Sequence, residues 1–301
     1  MKIVFTGLPY FSNLIVKELN AFDKKNNYFF FNTYYSFTDK VKYFLNLVNT
    51  SIVVSFNGVS ENSKALNWAV ILKKPIAMFW HGSDVIIAKE LFKQNKINLK
   101  YINHATHFTD APWLQNELIE IGIKPELLPF KIVSPTEKKD TFKDFGAVTY
   151  IAQKNEKFYG IDNVFDLAQE YPADTFHIVG TNGSDFTSPK NVKFHGWVSK
   201  DKMNELLDQY PIFLRLAKHD GYSLSVLEAI GNGNEVIWNY PHPKTHIASG
   251  KEELIKQYSV LKNKLSLNNL KRNGENITWV KENLNKEKIL KKFITTLTKI
   301  A

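Results

Sequence analysis

The sequence predicts an α/β chain of two doubly wound parallel-sheet domains facing across a cleft, and three observations predict it. Short runs rich in β-branched and aromatic residues alternate with longer amphipathic stretches as far as about residue 240. That alternation implies parallel strands joined by covering helices. It breaks once, at the Pro-, Lys- and Asp-bearing "LLPFKIVSPTEKKDTFKDFG" (127–146), which looks like a linker. Finally, 301 residues exceed one ordinary core and suggest two.

In chain order, 2–6 (KIVFT), 28–33 (YFFFNT), 51–56 (SIVVSF) and 75–80 (PIAMFW) predict buried strands. Between them "SNLIVKELNAF", "DKVKYFLNLVN" and "ENSKALNWAVILKK" carry apolar residues at helical spacing. "THFTDAPWLQNELIEIGI" predicts a short strand and a helix opening near Pro112, where a proline costs nothing. Beyond the linker the rhythm resumes: "AVTYIA", helix "IDNVFDLAQEY", "TFHIVG", "NVKFHG", helix "KDKMNELLDQY", "IFLRLA", helix "SLSVLEAI" and "EVIWN". Residues 244–300 read as three helices without another strand. The expected domains are 1–135, 136–282, and a terminal helix, 283–301, packing back on the first. Ligands of open parallel sheets bind outside the carboxyl ends of the strands, so the cleft is the expected site.

Composition narrows the function. No apolar run approaches the ~20 residues needed to cross a bilayer. The N-terminus runs straight into a strand-like segment without the apolar core and cleavage site of a signal peptide. Zero cysteines exclude disulfides and thiolate chemistry. A cytoplasmic protein is the expectation. The net charge of +9 admits an anionic partner, though much of the excess sits on the last fifty residues, where solvated helix faces explain it equally well.

The densest candidate is "DGYSLSVLEAIGNGNEVIW" (220–238). Each acid has a plain explanation: Ser225 to Glu228 matches a capping box, and Asp220-Gly221 a turn. Their shared address, a glycine-containing loop after a strand's carboxyl end leading into a helix N-terminus, suits a phosphate. Carboxylates beside an anion site suit a ligand that also carries hydroxyls.

"HDGYSLSVLEAIGNGNEVIW" resembles the donor-site signature of family 4 retaining glycosyltransferases of the GT-B fold, in which two Rossmann-like domains face each other. Asp220 stands at the first acidic position, usually Glu, and Glu228 at the second, followed by Ala229, Gly233 and Val236. "TFHIVGTNG…NVKFHGWV", "MFWHGSD" and "HFTDAPWLQNELIEIGI…LLPF" extend the resemblance over most of the chain. It implies a retaining glycosyltransferase that uses a nucleoside-diphosphate sugar and no other cofactor. Asp220 would hold hydroxyls of the transferred sugar, and Glu228 the ribose. Gly221, Ser223, Leu224, Ser225 and Gly180 would line the donor site. His81 would lie near the reacting carbon, and Asp84, with Gly7, on the acceptor side. A donor phosphate oxygen would take the acceptor's proton.

The chain departs from the pattern where the family carries an Arg and a Lys for the diphosphate: Gln153 and Tyr159 stand there, with Lys154 and Lys157 next door. Arg215, inside "IFLRLA", either holds phosphates as a bidentate donor or sits in a structural ion pair. No metal is expected: His242 and His246 lack a zinc-hydrolase Glu, His104 and His107 lack a carboxylate partner, and no Asp-x-Asp occurs. The expected partners are the nucleotide-sugar donor and a glycan, lipid-linked or small-molecule acceptor, with peripheral membrane contact open and nucleic acid not expected. The alternatives are a sugar-nucleotide epimerase of the same fold, or a catalytically weak, polyanion- or DNA-directed relative.

Overall fold

The structure is a computed structural model that describes residues 1–133, 135 and 139–301. The chain divides into two compact units, residues 1–131 with 286–301, and residues 132–285. The expected boundary at 135/136 partly falls on 134 and 136–138, outside the described residues.

The first unit is a six-stranded, all-parallel sheet. Its strands are β1 (Lys2–Thr6), β2 (Asn27–Phe30), β3 (Ile52–Ser55), β4 (Ile76–Trp80), β5 (Ala105–Thr109) and β6 (Glu126–Leu127), in the order β2-β1-β3-β4-β5-β6. The helices between them are α1 (Pro9–Phe22), α2 (Phe37–Leu47), α3 (Lys64–Ile71), α4 (Ser83–Lys93), α5 (Leu99–His104) and α6 (Pro112–Glu120). Every residue of β3 and β4 is buried, which is why these strands read as continuous apolar runs rather than alternating ones.

The second unit is again six-stranded and parallel. Its strands are β7 (Gly146–Tyr150), β8 (Thr175–Val179), β9 (Val192–Phe194), β10 (Ile212–Arg215), β11 (Glu235–Trp238) and β12 (His246–Ile247), in the order β12-β11-β10-β7-β8-β9. Its helices are α7 (Ile161–Glu170), α8 (Lys200–Gln209), α9 (Leu224–Gly231), α10 (Lys251–Leu267) and α11 (Gly274–Asn283). α10 closes the core: Tyr258, fully buried, packs on Phe176 and Tyr171, and Lys262 pairs with Asp174 at 2.6 Å. Read from β7, the strand order is that of a dinucleotide-binding sheet, reversing between β7 and β10.

The last helix, α12 (Lys286–Ile300), belongs to the first unit. Ile289, Leu290, Phe293 and Leu297 form its buried stripe, Phe293 stacks on Phe79 (5.2 Å) and Phe5 (6.3 Å), and Lys286 pairs with Glu18.

The expectation of no strand after 244 is corrected by β12, whose two residues are too few to show a period. β6 is equally short, and α4 and α5 are also absent from the sequence-based expectation. No helix among the described residues is long and apolar enough to cross a membrane.

Candidate functional site

In each unit the chemistry gathers where the strand order reverses. In the second unit this point is the carboxyl ends of β7 and β10, and the two loops there are locked together. Gly160, the N-cap of α7, has φ +82°, and a Cβ on it would stand 2.5 Å from the Leu216 carbonyl oxygen. Lys218 N–H donates to the Phe158 carbonyl at 2.8 Å. Only glycine allows so close an approach in that conformation. Gly180, with φ +101°, does the same beside β7: its Cβ would lie 2.5 Å from the Ile151 carbonyl oxygen.

Arg215 ends β10 and resolves its two alternatives. Nε donates to Asp220 Oδ2 at 2.6 Å and Nη2 to Oδ1 at 2.9 Å, with both side chains nearly buried. The Tyr159 ring lies 4.9 Å from the guanidinium carbon. Two catalytic candidates are therefore partners, and the expectation that Arg215 offers a bidentate fork to phosphate is corrected. Its remaining nitrogen, Nη1, is buried without a hydrogen-bond partner. An unmet buried donor costs about 1–3 kcal/mol, so this nitrogen is placed to gain from an anion.

The next helix start adds to that. Ser223, not Ser225, is the N-cap of α9, and no side chain caps the helix, unlike α8, where Ser199 accepts from Lys202 N–H. Ser223 and Ser225 instead hydrogen-bond each other at 3.0 Å. The first amides of α9, at Leu224 and Ser225, therefore carry the helix's positive end without a capping oxygen. The capping-box explanation of Glu228 is thereby corrected. Its carboxylate instead accepts from Lys200 Nζ at 2.5 Å. Gly221 is buried in the loop before Ser223. Lys154 and Lys157 are exposed on the loop between β7 and α7, and neither makes an ion pair among the described residues. Trp197, which sequence reasoning missed, is 81% exposed and stands edge-on to Tyr150 at 6.4 Å.

The first unit's reversal lies between β1 and β3, and a pocket of about 610 Å³ opens there. It is lined by Leu8, the loop Asn57–Ser63, His81, Asp84 and aromatic residues of α2 and α3, among others. Gly7, with φ +97°, admits Asn57, whose Oδ1 would stand 2.2 Å from a Cβ and has no hydrogen-bond partner. For Asp84 the sequence implies an acceptor-side place. It lines the pocket, but its carboxylate accepts from the backbone N–H groups of Gly58 (2.6 Å), Gly82 (2.8 Å), His81 (3.0 Å) and Val85 (3.0 Å). It clamps two loops together. Burial pushes its carboxyl up against the pull of those four amides.

His81 sits in a cage of Phe11, Phe56 and Phe130, at 6.2, 5.0 and 5.0 Å, and neither ring nitrogen has a hydrogen-bond partner. Burial, then the nearby charge of Lys131, holds its pKa well below the usual value, so the imidazole is neutral near pH 7. Lys131, also missed, pairs with Asp110 at 3.0 Å over the Phe11 and Phe130 rings. No motif surrounds Lys131, and only its burial marks it.

The four histidines weighed as metal ligands have structural partners. His246 pairs with Glu235 (3.0 Å), His242 with Tyr222 (3.1 Å), His107 with Trp80 (3.1 Å) and His104 with the Lys74 carbonyl (2.9 Å). Among the described residues no group of three His, Asp or Glu is placed to hold a metal.

Two Rossmann-like units of this topology define the GT-B fold, and solved structures of that fold are what the chain resembles. Sucrose-phosphate synthase from Thermosynechococcus elongatus matches with a TM-score of 0.68 at 11% identity, over 99% of each chain. AviGT4, a glycosyltransferase involved in avilamycin A biosynthesis, matches with a TM-score of 0.64 at 10% identity, over 100% of this chain and 98% of that one. UDP-GlcNAc 2-epimerase from Neisseria meningitidis, solved with UDP-GlcNAc bound, matches with a TM-score of 0.55 at 14% identity, over 99% and 100%. No protein-family model and no curated protein sequence matches.

Proposed function

We propose that the chain is a glycosyltransferase that moves a sugar from a nucleoside-diphosphate sugar to an acceptor hydroxyl, with retention and without a metal. The observation that carries this is the set of unmet donors at the β7–β10 reversal. There the buried Nη1 of Arg215 and the uncapped amides of α9 await an anion, with carboxylates at Asp220 and Glu228 to grip hydroxyls on either side of it. The diphosphate rests against those donors, helped by Lys154 and Lys157, as negative charge builds on the leaving group. Glu228 takes the ribose, exchanging Lys200 for hydroxyls. Asp220, oriented by Arg215, takes hydroxyls of the sugar.

The bond from the anomeric carbon to the phosphate oxygen breaks, the acceptor oxygen bonds to that carbon on the same face, and a donor phosphate oxygen receives the acceptor's proton. No protein base is needed, which agrees with the lowered basicity of the buried His81 and an Asp84 committed to backbone amides. The acceptor occupies the pocket between the β1 and β3 loops. We place the activity in the cytoplasm.

Glu228→Ala tests the donor site. Its partnership with Lys200 is worth at most about 1 kcal/mol of stability, so the fold is expected to hold while nucleotide-sugar affinity, measured by calorimetry, falls tenfold or more. A variant that loses stability but keeps affinity removes the ribose role. Turnover is expected to survive EDTA, and complete inhibition would contradict the metal-free mechanism.

A second reading, a sugar-nucleotide epimerase, is favoured by the likeness to UDP-GlcNAc 2-epimerase. It predicts conversion of the sugar nucleotide with no acceptor present.

A further inference from the structure

Helix α2 carries two apolar stripes, and only one is covered. Tyr43 and Leu47 face the unit's core. On another side Phe37, Val41, Phe44, Leu45 and Val48 fall within an arc of about 100° at helical periodicity, and all are exposed, Phe37 at 79%, Leu45 at 66% and Val48 at 62%. Tyr35, 84% exposed, precedes the stripe. Trp68 and Ile71 of α3 extend it, with Phe44 meeting Trp68 edge-on at 4.9 Å. Contiguous apolar surface of this kind marks a docking face rather than idle solvent exposure.

The charges around it are mostly of one sign. By the same helical geometry Lys40 and Lys42 flank the stripe on either side. Residues 34–74 hold five lysines, at 40, 42, 64, 73 and 74, against two acids, Asp39 and Glu61. Asp39 accepts from the backbone N–H of Asn32, so its charge is spent on its own loop. The pocket of this unit opens beside the face, and Tyr34, Lys40, Phe44, Lys64 and Trp68 line it.

We propose that this face docks on an anionic lipid bilayer, with α2 lying in the headgroup layer. Phe37, Leu45 and Val48 enter the acyl boundary, Tyr34, Tyr35 and Trp68 sit at the headgroup level, and the lysines meet lipid phosphates. Phe, Tyr and Trp over a lysine rim match that layered medium better than they match the acidic or apolar surface of a protein partner. The pocket then opens towards the membrane plane. On the transferase reading, and resting on it, the acceptor is an amphipathic molecule anchored in that bilayer.

The test is co-sedimentation of the full chain with vesicles of phosphatidylcholine mixed with phosphatidylglycerol, and with vesicles of phosphatidylcholine alone. It needs neither donor nor turnover, so its failure is separate from failure of the transferase reading. Binding to the mixed vesicles, weakened by salt and much weaker to phosphatidylcholine alone, is expected. The double variant Phe37→Glu/Leu45→Glu should reduce it at least tenfold, and Lys42→Glu should reduce it less. None of these residues lines the pocket or fills the core, so far-UV circular dichroism and melting should be unchanged. No vesicle binding, or binding that the double variant leaves intact, overturns the proposal. So does concentration-dependent self-association abolished by the double variant without vesicle binding, which would make a second copy of the chain the occupant.

Discussion

Arg215→Ala is expected to destabilise the second unit by about 3–5 kcal/mol, the cost of stranding one member of a buried ion pair, and to abolish nucleotide-sugar binding. Both effects follow from one side chain's geometry. Two of its nitrogens satisfy both oxygens of Asp220, and the third faces no acceptor. Removal takes the guanidinium away from the nearly buried Asp220 carboxylate and takes away the proposed phosphate donor. Because such a variant risks failing to fold, Arg215→Lys separates the two roles. An ammonium can still meet Asp220 but has no planar fork to serve a second anion. Its urea midpoint should stay closer to that of the wild type while affinity for the nucleoside diphosphate still falls. Equal stability of Arg215→Ala and the wild type would refute the ion pair's structural part.

Asp84→Asn is expected to cost about 2–3 kcal/mol, measured as a lowered urea midpoint with an unchanged slope. An amide nitrogen would replace one oxygen and face backbone N–H groups, leaving donors of Gly58, His81, Gly82 or Val85 buried and unmet. Since those amides fix the loops bordering the first unit's pocket, ligand binding there should weaken as well. An intact fold with turnover lost would instead favour a direct part for Asp84 on the acceptor side, where the sequence resemblance places it.

The architecture was legible because parallel strands buried on both faces write themselves as short continuous apolar runs; β1, β4, β7 and β10 are found where those runs stand. Edge strands β6 and β12 were not, since two residues carry no period. Asp220, Glu228 and Arg215 could be found as candidates by their place between a strand and a helix, but not their partners. A pairing five residues apart across a loop, or the choice of Ser223 over Ser225 as cap, is decided by backbone course rather than by residue type. Asp84 shows the same limit, because a carboxylate beside glycine reads alike whether it awaits a ligand or holds amides. Lys131 belongs to no motif, and its pairing with Asp110 becomes visible only through burial. The second stripe of α2 was read only as helical spacing, since periodicity reports that a face is apolar and not that anything covers it.

The most direct measurement is a thermal-shift titration of the wild type and Arg215→Lys with nucleoside diphosphates and their sugars, since a ligand specific to the folded state raises its melting temperature. One nucleoside diphosphate, with or without its sugar, is predicted to raise the wild-type midpoint and to do so far less with Arg215→Lys. If no nucleotide shifts the wild type, or the shift persists in full with Arg215→Lys, the assignment of a donor site to the carboxyl ends of β7 and β10 is wrong.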